Sequence, residues 1–184
     1  MAKNSVFWVE CAKHYKKGIK RTHSGRIIAQ RTGERVLVTD GYTACIVTAY
    51  IYIEMRRECP YLEPLEDGQC CTVNGPDNVH VSVDDMRGLW QAASKPDDYI
   101  TAQRLPLVQD VQDKAVRWYR AADGRSIAID TRYDTMLVSA YNAPVISADY
   151  SVRFPAIYCM DSNGIGIMAL PVAVKTTPAD IWQA

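Results

Sequence analysis

Apolar positions along this chain recur in two rhythms, and the change from one to the other marks out the elements it is expected to form. Over residues 9–20, Cys11, Tyr15 and Ile19 fall four apart, the spacing of one face of an α-helix. Lys13, Lys16, Lys17 and Lys20 fall at i, i+3, i+4 and i+7, so four ammonium groups share another face of that helix. Gly18 weakens its last turn, and residues 6–9 ahead of it read as a short strand or the lead-in to the helix.

Beyond residue 25 the rhythm shortens. Arg26–Gln30 and Arg35–Thr39 are short β-prone runs around Arg31-Thr-Gly-Glu34, the kind of loop that closes a hairpin. Residues 42–53 are dense in β-branched and aromatic side chains and predict a strand. Residues 54–69, with their charges, Pro60, Pro64 and Gly68, predict an exposed loop. Residues 70–73 and the alternating run 79–83 follow as strands about Asn74-Gly75-Pro76, with His80 on the polar face. Asp84 fits the N-cap of a helix whose Met86, Leu89, Trp90 and Ala93 form an apolar stripe. Residues 94–113 hold Pro96, Pro106 and many polar groups and read as a connection. After it, residues 115–120 and 126–130 predict a second hairpin across Asp123-Gly124, and 133–139 a short helix or strand. Residues 145–146, 156–160 and 165–174 predict further strands, the last two joined by the turn Asp161-Ser-Asn-Gly164.

These elements place the chain in the α+β class: β-rich, antiparallel sheets with two or three helices, in one compact domain. Its expected parts are a first β/α unit over 1–95 with the basic helix, a connecting segment over 96–113, a second β unit over 114–176, and a tail over 177–184 in which Trp182 could dock. A faint internal echo supports a duplicated β-unit. Gly33-Glu-Arg-Val-Leu-Val-Thr-Asp40-Gly-Tyr42 and Gly124-Arg-Ser-Ile-Ala-Ile-Asp130-Thr-Arg-Tyr133 each run from a glycine turn through an apolar strand to an Asp and then a Tyr.

Composition narrows the function classes. The 184 residues are 48% hydrophobic and 23% charged, enough for a real core, and no apolar run approaches the length that crosses a bilayer. The N-terminus turns basic too soon for a secretory signal, so a cytoplasmic protein of a bacterial host cell, without a membrane partner, is expected. Six cysteines (11, 45, 59, 70, 71 and 159) include no Cys-x-x-Cys pair and read as reduced, largely buried thiols. His14, His23 and His80 do not pair at ligand spacing, so neither a metal nor a cofactor is expected. Net charge is zero but unevenly spread. Residues 1–40 hold nine basic and three acidic side chains, six charges positive, and the remaining 144 residues are six negative. That segregation fits an anionic partner for the N-terminal part, or a basic segment packed on the protein's own acidic face.

Catalytic chemistry finds no local signature. Asp84-Asp85 and Asp97-Asp98 lack the third acid a metal nuclease needs, Gly164-Ile-Gly166 precedes a strand rather than a helix, and no Gly-x-Ser-x-Gly elbow occurs. The expectation is a binding protein, not an enzyme, with a cryptic hydrolase or nuclease as a lesser alternative. The cationic set Lys13, Lys16, Lys17, Lys20, Arg21, Arg26, Arg31 and Arg35 is the expected phosphate-contacting surface. Arg56, Arg57, Tyr61 and Leu62, within the predicted exposed loop, are the expected protein-binding epitope.

The run Arg35-Val-Leu-Val-Thr-Asp-Gly-Tyr42 resembles the strand and Thr-Asp-Gly segment of DNA sliding clamps, and Ile165-Gly-Ile-Met-Ala-Leu-Pro-Val-Ala-Val174 is similar to the strand that ends a clamp domain. The two runs span 8 and 10 of the 184 residues. The resemblance implies a clamp-like fold, a phosphate-facing basic helix and a role as a DNA-binding accessory factor in replication. By profile rather than motif, the chain also resembles the small anti-CRISPR proteins of phages and mobile elements. That likeness implies a partner such as Cas9 of type II-A systems, or another nucleic-acid-processing protein, with double-stranded DNA as a further partner and a dimer as one possible state. Inhibition of Cas9 is the leading expectation.

Overall fold

The apolar stripe of the first helix is where the core begins. In the computed structural model, which describes residues 6–21, 26–152 and 154–174, helix α1 (Phe7–Arg21) buries Cys11, Ala12, Tyr15 and Ile19 to within 1% of complete. Each large side chain so buried contributes about 1.5–3 kcal/mol. The Tyr15 hydroxyl donates to the Val38 carbonyl at 3.1 Å, so its burial leaves no polar atom unpaired.

The first sheet unit is a meander, β1 (Arg26–Thr32), β2 (Arg35–Thr39) and β3 (Thr43–Thr48), followed by α2 (Ala49–Glu58), β4 (Cys70–Asn74) and β5 (Val79–Ser82). Helix α3 (Arg87–Ala93) leads to a second meander, β6 (Tyr99–Val111), β7 (Lys114–Ala121) and β8 (Ser126–Asp130). Then come α4 (Thr131–Ser139), β9 (Val145–Ser147), β10 (Ile157–Met160) and β11 (Gly166–Ala169). The eleven strands form one sheet, paired antiparallel, in the order β5-β4-β1-β2-β3-β11-β10-β9-β6-β7-β8. Both halves follow one plan: three meander strands, a helix, then a strand that returns to pair with the first of its meander (β4 with β1, β9 with β6).

The sheet is curled. The Leu170 N–H donates to the Tyr42 carbonyl beside β3, and the Val172 N–H to Ala128 in β8. Five strands separate β3 from β8 in the hydrogen-bonded order, about 29 Å on a flat sheet, whereas two residues of chain span at most about 7 Å. Helices α1, α2 and α4 pack on one side over the main core, with Val38, Cys45, Ile129, Ile146 and Ile167 beneath them. The other side carries two smaller clusters, one under Leu89 and Trp90 of α3 and one around Trp118 closed by Val172 and Val174.

Several expectations need correction. Residues 42–53 do not form one strand: at Thr48 the chain turns into α2, because the Thr48 hydroxyl caps the Ile51 N–H and Tyr52 and Met55 then reach the core. Tertiary burial overrides β-propensity there. The expected exposed loop 54–69 begins inside α2, and its Cys59, Leu62 and Leu65 are buried. The supposed connection at 94–113 contains the longest strand, β6, which absorbs Pro106 at a bulge between Arg104 and Val108. Asp84 does not cap α3: it accepts the Ser82 hydroxyl at 2.6 Å, the Arg87 N–H goes to Asp85, and Met86 stands at the N-cap. Residues 133–139 belong to a helix, making four helices among the described residues. The echo is out of register: it aligned β2 with β8, whereas in the topology β3 and β8 are the equivalent strands, each running into a capped helix. All six cysteines are free and buried, and His80 is exposed as expected. Among the described residues no helix is long and apolar enough to cross a membrane.

Candidate nucleic-acid interface

Burying Cys11, Tyr15 and Ile19 forces the opposite face of α1 outward, and that face holds the lysines. Lys13, Lys17 and Lys20 are exposed and Lys16 is half-buried. Lys13 pairs with Glu10 at 3.1 Å, one turn earlier on the same helix. Among the described residues, no ion pair joins Lys16, Lys17 or Lys20 to a carboxylate. These three lysines are therefore not paired, among the described residues, with the acidic remainder of the chain.

Helix α1 lies beside α4, and the groove between them, about 280 Å³, is lined by Glu10, Lys13, His14, Lys17, Arg132 and Thr135. Three cations meet one carboxylate there. Arg132 arrives because Asp130 ends β8 and caps α4: its Oδ1 accepts the Arg132 N–H at 2.9 Å. The same carboxylate takes the guanidinium at two points, 2.9 and 2.6 Å, yet the Arg132 side chain stays 58% exposed. Its other N–H groups remain available to an anion.

The wall of the groove is set by His14, whose Nε2 donates to Asp40 Oδ2 at 2.9 Å. Asp40 Oδ1 accepts the N–H groups of Tyr42 and Thr43 at 3.0 and 2.7 Å. Burial pushes the Asp40 carboxyl up, but the bonds from His14, Thr43 and Tyr42 together outweigh it and hold the group below its usual value. The His14 ring meets the edges of Tyr15 and Tyr133. Burial, reinforced by the Asp40 charge, pushes the Tyr133 phenol up to about 12, so it stays neutral.

The structure thus gathers Lys13 and Lys17 with Arg132, and leaves Lys20 one turn beyond on the same helix. The side chain of Arg21 lies outside the described residues. Arg26 is exposed at the start of β1. Arg31 and Arg35 do not join the lysines, for they stand at the turn end of the hairpin, roughly 17 Å along the strand from Arg26. Arg31 donates to the carbonyls of Gly33 and Leu65, and Arg35 to that of Asn163. The expected epitope is largely structural. Leu62 is a core residue at 2% exposure, Tyr61 packs against the core, and Arg56 donates to the Leu62 carbonyl, tying loop to helix. Arg57 is exposed and clasps Glu54 at 2.6 Å. Arg132 and Thr135 escaped the sequence reading. The signal for them was present in Asp130, a capping residue directly ahead of a run with helical spacing.

No family model and no curated protein matches the chain. Among solved structures, it is similar to a putative DNA polymerase III beta subunit from Eubacterium rectale ATCC 33656, at 8% identity and a TM-score of 0.39. The alignment covers 96% of this chain, which spans 66% of the length of that one.

Proposed function

We propose that this protein binds nucleic acid through its phosphate backbone, without catalysis, using Lys13, Lys17 and Lys20 of α1 and Arg132 of α4. The observation that carries the reading is the cationic face of α1: it is turned outward by the buried stripe beneath it, and its Lys16, Lys17 and Lys20 form no ion pair among the described residues. Cations so placed release counterions from a phosphate backbone and carry no base-reading geometry. Tethering of other proteins to DNA, the role implied by the sliding-clamp resemblance of the sequence, would rest on the same contacts. Inhibition of Cas9 draws no support from the groove or the comparisons.

The test is the affinity for a short DNA duplex across a salt series, read by fluorescence anisotropy. About four phosphate contacts give a log–log slope of about −3.6. Lys17→Glu with Lys20→Glu should weaken binding by about tenfold or more and flatten the slope. Affinity indifferent to salt would overturn the reading.

A further inference from the structure

We propose that a small pocket at the C-terminal end of α4, separate from the cationic groove, receives the C-terminal residue of a partner peptide, an aliphatic one with its free carboxylate. The pocket, about 170 Å³, is lined by Arg104, Leu137, Val138, Tyr141, Asn142 and Pro144.

Two features point to an anionic ligand, and a third marks the mouth of the pocket. The first is a charge surplus. Asp134, buried on α4, takes the Nε and Nη2 of Arg104 at 2.8 and 2.6 Å and the Tyr119 hydroxyl at 2.8 Å. Arg117, 17% exposed and behind rather than lining the pocket, has its Nε 3.6 Å from the same carboxylate; that Nε has no hydrogen-bond partner, while its Nη1 donates to the Leu105 and Pro106 carbonyls. Two guanidinium groups therefore share one carboxylate, which leaves one positive charge in excess beside the pocket, and such an excess favours an anion. The second is the free edge of Arg104, whose Nη1 makes no hydrogen bond to any described residue and whose side chain is 40% exposed. A planar carboxylate matches that edge.

The third is backbone strain at the lip. Tyr141 follows the C-cap Ala140 with φ +59, a left-handed conformation usually left to glycine or asparagine. Its ring is 69% exposed, so burial does not offset the strain. An exposed aromatic held in a strained conformation at a pocket mouth points to use. The remaining walls complete the fit. Leu137, Val138 and Pro144 offer an apolar wall, and Asn142, whose Nδ2 donates to the Ala140 carbonyl, keeps its Oδ1 to accept the amide N–H of a terminal residue.

The test is an NMR titration of the full chain with N-acetyl-leucine, N-acetyl-leucinamide and isovalerate. N-acetyl-leucine should bind with a Kd of about 1 mM, shifting the Arg104 side-chain N–H together with Tyr141 and Asn142. The amide should bind about ten times more weakly. Val138→Glu, at a position 52% exposed, and Tyr141→Gly should each reduce binding about fivefold or more, while Tyr141→Gly keeps or raises the melting temperature. Absence of shifts at about 10 mM, equal binding of acid and amide, or unchanged binding by both variants would overturn the proposal. Isovalerate binding as tightly as N-acetyl-leucine would overturn the peptide terminus in favour of a free acid.

Discussion

Thr48 and Asp130 hold the same post in the two halves of the sheet. Each ends the third strand of its meander, and each side chain accepts an N–H at the start of the helix that follows, Thr48 Oγ1 from Ile51 at 3.2 Å and Asp130 Oδ1 from Arg132 at 2.9 Å. A cap at this point decides where strand becomes helix, since the first N–H groups of a helix have no partner within it. Thr48→Ala is expected to cost about 1 kcal/mol, read by urea denaturation. Thr48→Ser should restore most of it. Equal stability of Thr48→Ala and the parent would mean that packing of Tyr52 and Met55 alone sets the boundary.

Asp134 makes the strongest demand on the native state. It is 6% exposed, and its loss leaves Arg104 and Arg117 facing each other without the carboxylate between them. Asp134→Ala should destabilise the fold toward the lower end of about 3–5 kcal/mol, because Arg104 reaches solvent. A cost under about 1 kcal/mol would show that the arginines find water instead.

Acid should unfold this protein by way of three carboxylates. Asp40, Asp130 and Asp134 all lie below the ordinary 3.8: burial raises each, and hydrogen bonds from His14, Arg132 and Arg104 respectively, with their further partners, outweigh it. Such a group binds protons more weakly folded than unfolded, so its contribution is complete above the unfolded value and is lost as pH falls through the folded one. Melting temperatures should hold steady from neutrality to about pH 5 and drop below about pH 4. In Asp40→Asn the low-pH drop should be shallower, and an unchanged curve would exclude Asp40 from the transition.

What the sequence disclosed was whatever rests on spacing and composition. The Cys11–Tyr15–Ile19 stripe and the Lys face opposite it were both legible, because a helix surface repeats every 3.6 residues and both sets obey it. The turn at Gln112-Asp113 was not. Both residues have positive φ, 50 and 62, a conformation normally announced by Asn-Gly, so β6 hid inside a supposed connection. Residues 49–53 misled in the opposite sense, since Tyr50, Ile51, Tyr52 and Ile53 favour a strand and the helix is fixed by burial of Tyr52 and Met55, a property of the assembled core. The groove at Arg132 depends on which helix packs beside α1, and no local pattern encodes that neighbour.

The buried thiols give an independent check of the core. Burial pushes the Cys59 thiol up to about 11 and that of Cys159 up to about 12, and raises Cys11 and Cys71 as well. The thiolate is the reactive form, so at neutral pH a disulfide reagent should modify none of the six in the native protein and all six after denaturation. Rapid modification of Cys59 in particular would contradict the packing of loop 59–65 against α2.

Asp130 also links stability to binding, and the two should move in opposite directions when it is neutralised. Its carboxylate caps α4 and holds Arg132 at two points, so it adds negative charge at the edge of the cationic groove. Asp130→Asn keeps an oxygen for the Arg132 N–H, so the cap survives, but the ion pair is lost. The fold should weaken by about 1 kcal/mol, while the groove gains one positive charge and Arg132 is released toward solvent. Affinity for a duplex at low salt should rise about two- to fivefold and the salt slope should steepen by up to about one unit. Arg132→Gln in the same background should remove the gain. Weaker duplex binding by Asp130→Asn, in a protein still folded by circular dichroism, would mean that the carboxylate positions Arg132 for the phosphate rather than competing with it.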